Sequence, residues 1–193
     1  MNTPQLSTKE RGSGPRSPEY ALLGLLLQQP AHGYALHQRL AAELGQVWHI
    51  HLSQTYTILN RLETQGWIAG TVQELQKLPT RRRFQITPAG RQRFETWLRA
   101  PSACSVRAIR VEFVTRLYFA SVMRPSLALE LIEAQVFETH AGLARLQAQL
   151  AELPLEQKFN RLGLELRLRQ LASIAGWLEE CRTVLGPGGP LAT

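Results

Sequence analysis

Aspartate is absent from this chain of 193 residues, and lysine and cysteine are scarce: all 15 acidic residues are glutamates, 3 of the 22 basic residues are lysines, and there are 2 cysteines. Each shortage excludes something. A metal site needs three or four convergent ligands, usually with an acid or a thiol among them. His32, His37, His49 and His51 have no aspartate near them, and Cys104 and Cys181 are remote, so the reading is packed or solvated histidines, no metal and no cofactor. Two thiols without short spacing, and no charged, apolar and small-residue leader, point to a cytoplasmic chain with reduced thiols. No apolar run approaches the roughly twenty residues that cross a bilayer. A glycine-rich phosphate loop, a nucleophile elbow and paired carboxylates in a cleft are also missing, which argues against an enzyme.

Hydrophobic residues make up 44% of the chain, enough for one good core and a second, smaller one. Arginine, at 19 copies, dominates the basic side, and its planar fork suits bidentate contacts to phosphate or guanine. A GC-rich genome enriches arginine just as well. Location says more. Residues 1–100 carry 12 Lys and Arg against 6 Glu, a balance of +6, whereas residues 101–193 carry 10 against 9, a balance of +1. Clustered positive charge of this kind suits one half that meets a polyanion and another that meets protein.

Four segments follow. Residues 1–16 and 187–193 read as polar, Pro/Gly-containing disordered tails. Residues 17–100 read as a winged helix-turn-helix and 101–186 as a helical, coiled-coil-like dimerisation domain, giving a mainly α fold with a small β-hairpin wing. In the first part, Ser17 is expected to cap a helix with Pro18 at its first position, apolar nearly all round through Tyr20, Leu22, Leu23, Leu25, Leu26 and Leu27. A second helix from about Tyr34 to Leu44 carries Leu36, Leu40 and Leu44 on one stripe, with Gly33 at its entry and Gly45 closing it. Trp48 to Leu52 alternates like a short strand.

Ser53 then caps a third helix. On a wheel of 100° per residue its core face is Tyr56, Leu59 and Leu62, and the opposite arc carries Ser53, Gln54, Thr57, Asn60, Arg61 and Thr64. A solvated face normally carries several Glu and Lys; this one has a single charge among neutral donors and acceptors. Gln and Asn pair with adenine, Arg with guanine, Ser and Thr with bases or phosphates. Next comes a wing: a strand from Trp67 to Gln76, a turn at 77–80 that includes Lys77, and a strand from Arg81 to Ile86. Phe84 and Ile86 share one face there, and Arg81, Arg83 and Gln85 the other. Three adjacent arginines, Arg81, Arg82 and Arg83, beside a proline-containing turn fit a phosphate or minor-groove contact.

Farther on, Leu129, Ile132, Val136, Thr139, Leu143, Leu146, Leu150 and Leu153 recur at spacings of 3 and 4, the heptad seam of side-by-side helices. A helix over that seam is about 37 Å long, more than a small internal core covers, so a partner is expected. After Pro154, a last helix from about Leu155 to Leu185 offers Leu164, Leu168, Leu171, Ile174, Leu178, Cys181 and Leu185. A closed antiparallel pair within one subunit and a dimer formed by two such pairs both fit the pattern. The dimer is preferred because paired half-sites on DNA require twofold symmetry. Within it the seam residues, with Leu171 and Leu178, are the expected contacts.

These residues resemble the PadR family of bacterial transcriptional regulators over 18–99. His32, Gly33 and Tyr34 resemble its HGY segment. Ser53, Tyr56, Leu59, Leu62, Glu63 and Gly66 fall on its serine, tyrosine and L-x-x-L-E-x-x-G pattern, and Arg83, Phe84, Thr87, Gly90 and Trp97 on its R-x-Y-x-I-T-x-x-G and W-L end. Thr57 stands where the family commonly has proline, so base preference there does not carry over. More loosely, residues 107–185 are similar to the C-terminal domain of the family's virulence-activator branch: Arg110, Glu112, Phe113, Arg116, Leu117, Phe119 and Ala120 match its opening, Leu164, Glu165, Trp177 and Leu178 its closing helix. The resemblance implies dimerisation, and relatives that respond to aromatic or drug-like ligands. Trp48, Trp67, Trp97 and Trp177 themselves read as ordinary packing at a core edge.

The expected function is a homodimeric, sequence-specific regulator of double-stranded DNA with a pseudo-palindromic operator, a repressor released by a small-molecule effector of unknown identity. A bound dimer blocks polymerase without further machinery, which favours repression. The alternative is a protein-interaction module whose winged helix and long helices assemble a complex; a third possibility is an effector sensor with weak DNA affinity.

Overall fold

The structure, a computed structural model, describes residues 18–73, 81–100, 102–186 and 189. Ser17 and most of both expected tails lie outside them. Helix α1 (Glu19–Gln28) runs through the middle of the first core, with Leu22, Leu23, Leu25 and Leu26 buried on all sides, as its uniformly apolar sequence requires. Pro18 occupies the N-cap position rather than the first helical one, a shift of one residue. Helix α2 (Gly33–Leu44) buries Leu36, Leu40 and Leu44, the stripe read from the sequence. Gly45 follows in a right-handed conformation at φ −63°, so no left-handed cap is formed there.

The strand expected over Trp48–Leu52 does not exist: residues 48–51 are irregular and Leu52 already belongs to helix α3 (Leu52–Thr64). A strand needs a neighbour with free hydrogen-bonding groups, and the place is taken. The sheet has the order β1-β3-β2, in which β1 (Ala31–His32) pairs antiparallel with β3 (Arg81–Ile86) and β3 with β2 (Ile68–Gln73). Trp48 turns the other way and donates its indole N–H to Thr115 Oγ1 at 2.8 Å. Helix α4 (Pro88–Arg99) closes this part, capped by Thr87, whose Oγ1 accepts from the Gly90 N–H at 3.1 Å. Gly90 is forced to be small, since a Cβ there would stand 2.0 Å from the Trp67 carbonyl oxygen.

The second part begins with α5 (Val106–Ala108), a π-helical turn at Ile109–Phe113 and α6 (Val114–Met123). Phe119 of α6 lies against Gly24 of α1, where a Cβ would meet its ring at 2.4 Å, and packs edge-on to Phe94 of α4 at 5.3 Å. Two long helices follow, α7 (Pro125–Glu152) and α8 (Lys158–Leu185), each of 28 residues and so about 42 Å long. They form an antiparallel hairpin: Arg161 donates to the carbonyls of Leu150 and Leu153 near the turn, and Arg182 reaches Glu133 at 3.7 Å near the open end.

That hairpin overturns the argument that the heptad seam needs a second subunit. The face of α7 buried within the chain is Ala128, Ile132, Gln135, Thr139, Gly142 and Leu146, covered by an α8 of equal length. Ile132 and Leu146, with Leu171 and Leu178 of α8, are buried inside the chain, while Leu129, Val136, Leu143 and Leu150 are half-buried at the edge and Leu153 lies past the helix end. Each fully buried leucine or isoleucine contributes about 1.5–3 kcal/mol by leaving water. Among the described residues no helix is long and apolar enough to cross a membrane.

Candidate nucleic-acid interface

Helix α3 starts where the backbone N–H of His51 finds an acceptor. His51 is extended, at φ −80° and ψ 158°, and its N–H donates to Gln54 Oε1 at 2.8 Å. The cap is therefore His51 and not Ser53, which lies inside the first turn. Gln54, expected to face a base, also spends its side-chain carbonyl on starting the helix. The other end is a left-handed turn at Gly66, φ +73°, in which the Gly66 N–H donates to the Glu63 carbonyl and the Trp67 N–H to the Leu62 carbonyl, each at 2.9 Å.

The two faces of α3 separate as expected for the most part. Thr55, Ile58, Leu59 and Leu62 are buried, and Ser53, Gln54, Thr57, Asn60, Arg61 and Thr64 are all exposed. Tyr56 is the correction: expected in the core, it is 41% exposed, its place inside taken by Ile58. Two of the polar side chains look back at the helix, Thr57 Oγ1 donating to the Ser53 carbonyl at 3.0 Å and Thr64 Oγ1 to that of Asn60 at 2.9 Å. Arg61 forms an ion pair with Glu19, which α1 buries to 2% exposure. Histidine joins the helices too, with His37 Nδ1 of α2 at 3.0 Å from Thr55 Oγ1.

The wing is held to α3 by a residue that sequence reasoning assigned no such role. Glu63 Oε1 accepts from Arg82 Nη2 at 2.6 Å and from the Gly70 N–H at 2.9 Å. Gly70 leaves the room for this, because a Cβ would meet Arg82 Nε at 2.5 Å. Arg82 also lies over the ring of the buried Phe84, 5.5 Å from its centroid, and its carbonyl oxygen is 3.0 Å from His32 Nδ1. Arg83, one residue on, is exposed. Arg81 belongs to β3; its side chain and the whole of Lys77 lie outside the described residues.

Behind this surface the two parts of the chain are joined through buried charge. Arg116 of α6, 2% exposed, bonds Glu112 of the π-helical turn, the Ala100 carbonyl and Ser102 Oγ, and stacks 5.0 Å from Trp97. Burial pushes the Glu112 carboxyl above its usual range although Arg116 beside it pulls the other way, and burial likewise lowers Arg116. From Trp97 the stack continues through Tyr20, 4.5 Å away and parallel, and Arg93 to Trp67, over whose ring Arg93 lies at 3.7 Å. Tyr118 of α6 bonds Glu43 of α2 as well.

The model of the PadR-like transcriptional regulator family matches residues 22–96, and that of the virulence activator alpha C-terminal region matches residues 109–186. The negative transcriptional regulator PadR of Bacillus subtilis is 30% identical over 139 residues, covering 70% of this chain and 74% of that protein. Among solved structures, Bacillus subtilis PadR in complex with operator DNA is 25% identical, with a TM-score of 0.44, covering 87% of this chain and 98% of that one. The same protein in complex with p-coumaric acid is 26% identical, with a TM-score of 0.40, covering 89% and 97%. These relatives are transcriptional regulators and not enzymes. With matches that span the helix-turn-helix, the wing and the long helices, the chain belongs to the PadR-like family of transcriptional regulators.

Proposed function

We propose that this chain is a cytoplasmic repressor that binds a pseudo-palindromic operator as a homodimer and leaves it when a small molecule binds. Residues 17–100 hold the DNA and residues 101–186 hold the second subunit. The observation that carries the reading is the exposed arc of α3, where one charged and five neutral hydrogen-bonding side chains stand together, with the arginine-bearing wing tied to the same helix through Arg82 and Glu63. Neutral donors and acceptors discriminate base edges, and the arginine supplies the phosphate attraction. Repression is supported by the Bacillus subtilis relative, described as a negative regulator.

The dimer surface in this reading is not the heptad seam, which α8 covers, but the outer side of α8. Phe159, Leu162 and Leu166 of α8, with Leu155 in the turn before it, are spaced 4, 3 and 4 from Leu155 onward, and Phe159 is 88% exposed. A monomer gains nothing from keeping so apolar a stripe in water.

Selection of bound duplexes from a random pool, followed by a gel-shift titration at rising salt, tests the DNA reading. A steep fall in affinity with salt is expected, set by the number of phosphates neutralised. Asn60→Ala is expected to cost about 1–3 kcal/mol of discrimination, Gln54→Ala to cost the same and the His51 cap as well, and Arg83→Ala to weaken all duplexes alike. Failure to retain any duplex at low salt would leave the protein-interaction alternative in its place.

A further inference from the structure

Two tyrosines at the junction of α2 and α3 keep much of their surface in water. Tyr34, the second residue of α2, is 56% exposed and its hydroxyl accepts from Gln38 Nε2 at 3.2 Å, one turn along the same face. Tyr56 is 41% exposed although its sequence position reads as core. Its ring lies on the start of α2, so close to Gly33 that a Cβ there would meet Tyr56 Cε1 at 2.6 Å. Gly33 is thus kept bare by Tyr56, whose hydroxyl lies over the start of α2, and Tyr34 is the next residue along that helix.

A phenol in water at the surface of a monomer costs stability for its apolar ring and gains nothing for its hydroxyl, so a sequence that places two such rings together invites a functional explanation. In a helix-turn-helix the first of the two helices crosses the sugar-phosphate backbone while the second enters the groove. A donor at the start of α2, whether Tyr34 of that helix or the Tyr56 hydroxyl that α3 lays over Gly33, therefore meets phosphate oxygens and not base edges. Tyrosine is among the neutral side chains that fill this role, and its two side-chain torsions leave little freedom to lose on binding. Gln38, holding the Tyr34 hydroxyl, reduces that freedom further.

We propose that Tyr34 and Tyr56 are phosphate-contacting residues, their hydroxyls donating to the DNA backbone on the flank of the helix inserted in the groove. This rests on the DNA-binding reading above. It adds two neutral contacts to the cationic ones of the wing, and it assigns Gln38 and Gly33 as the residues that position them.

The test removes only the oxygen. Tyr34→Phe and Tyr56→Phe keep ring, exposure and packing, so their melting temperatures should match the parent, and Tyr20→Phe, whose ring is stacked on Trp97, serves as the control. Full-length protein is titrated with its selected duplex and with a random duplex of equal length. Each of the two variants is expected to lose about tenfold in affinity for both duplexes, the worth of one hydrogen bond to a charged acceptor. The salt dependence should keep the parent's slope, since a neutral hydroxyl displaces no counterion. Parent-like affinity in both variants, or an equal loss in Tyr20→Phe, overturns the assignment. A loss confined to the selected duplex overturns the phosphate contact in favour of base contact. Parent protein that binds neither duplex would instead remove the DNA reading itself.

Discussion

Glu63 near the end of α3 holds Arg82 of the wing at 2.6 Å, and the same oxygen takes the Gly70 N–H at 2.9 Å. One carboxylate therefore fixes the angle between the two elements proposed to touch DNA, and it does so by neutralising one of three clustered arginines. The pair is half-exposed, with side-chain exposures of 46% and 24%, so its contribution to stability is small, under about 1 kcal/mol. Glu63→Gln should leave the melting temperature nearly unchanged while two DNA effects move apart. Binding to random duplex should strengthen at low salt, because Arg82 gains an uncompensated charge, and discrimination in favour of the selected duplex should fall, because a neutral amide oxygen holds the wing more loosely than a carboxylate. Paired gel-shift titrations read both; unchanged discrimination would show that the clamp does not set the angle.

The stripe on α8 and the seam on α7 make opposite predictions for the same kind of substitution. Leu146 is buried between the hairpin helices, so Leu146→Glu places a charge in a closed interior and should unfold the C-terminal part, with loss of helical circular dichroism on mild heating. Leu162 is 59% exposed, so Leu162→Glu should leave the fold intact. If the outer side of α8 is the dimer surface, light scattering will show the monomer mass for Leu162→Glu at micromolar concentration. A dimer that survives both Leu162→Glu and Phe159→Glu would place the contact elsewhere.

The junction carries a buried ion pair whose two members are worth more together than either alone. Glu112 and Arg116 are 3% and 2% exposed, and burial shifts both away from the charged form. Removing one partner leaves the other charged and dry, a loss of about 3–5 kcal/mol, whereas replacing both with apolar residues of similar volume is often neutral. Glu112→Leu should thus lower the urea midpoint sharply, and Glu112→Leu with Arg116→Met should recover most of the loss. Recovery should stop short of the parent because Arg116 also donates to Ala100 and Ser102. A double variant no better than the single one would mean that the hydrogen bonds and not the charges dominate.

What the sequence made legible is what repeats locally. The stripe Leu36, Leu40 and Leu44, the Thr87 cap with Pro88 after it, and the alternation around Phe84 each lie within one element, where spacing alone decides the face. Local spacing misleads where the deciding partner is distant. Trp48 to Leu52 alternates as a strand would, but the sheet edge is filled by Ala31 and His32, two residues too short to leave a pattern and paired with Phe84 and Arg83. Ser53 is the better cap by residue type, yet Gln54 fixed the start at His51 by reaching back to its N–H. Leucines every third and fourth residue reported that α7 is covered, and could not report that α8 of the same chain does the covering. At Tyr56 the pattern was right for a core and the structure turned the ring outward, which is the kind of local conflict that marks a functional surface.

The cysteines give a prediction that pH can check. Burial, aided by the neighbouring Glu180, pushes the Cys181 thiol up to about 11, and burial also raises Cys104 in spite of Arg145 nearby. Nucleophilic attack needs the thiolate, so neither thiol is suited to sensing oxidants at neutral pH. At pH 8 the Cys181 thiolate should be about a hundredfold rarer than in the unfolded chain, and its reaction with a disulfide reagent slower in proportion until urea is added. The sign for stability follows from the same shift. A thiol raised above its ordinary value near 9.0 favours the fold fully below that pH and loses this contribution as the pH climbs through about 11. Relative to Cys181→Ser, the parent should therefore lose melting temperature between pH 9 and 11 and hold its margin below pH 9. Equal labelling rates for native and urea-unfolded protein, or parallel melting profiles for parent and Cys181→Ser across that window, would contradict the partial burial of this thiol within the α7–α8 hairpin.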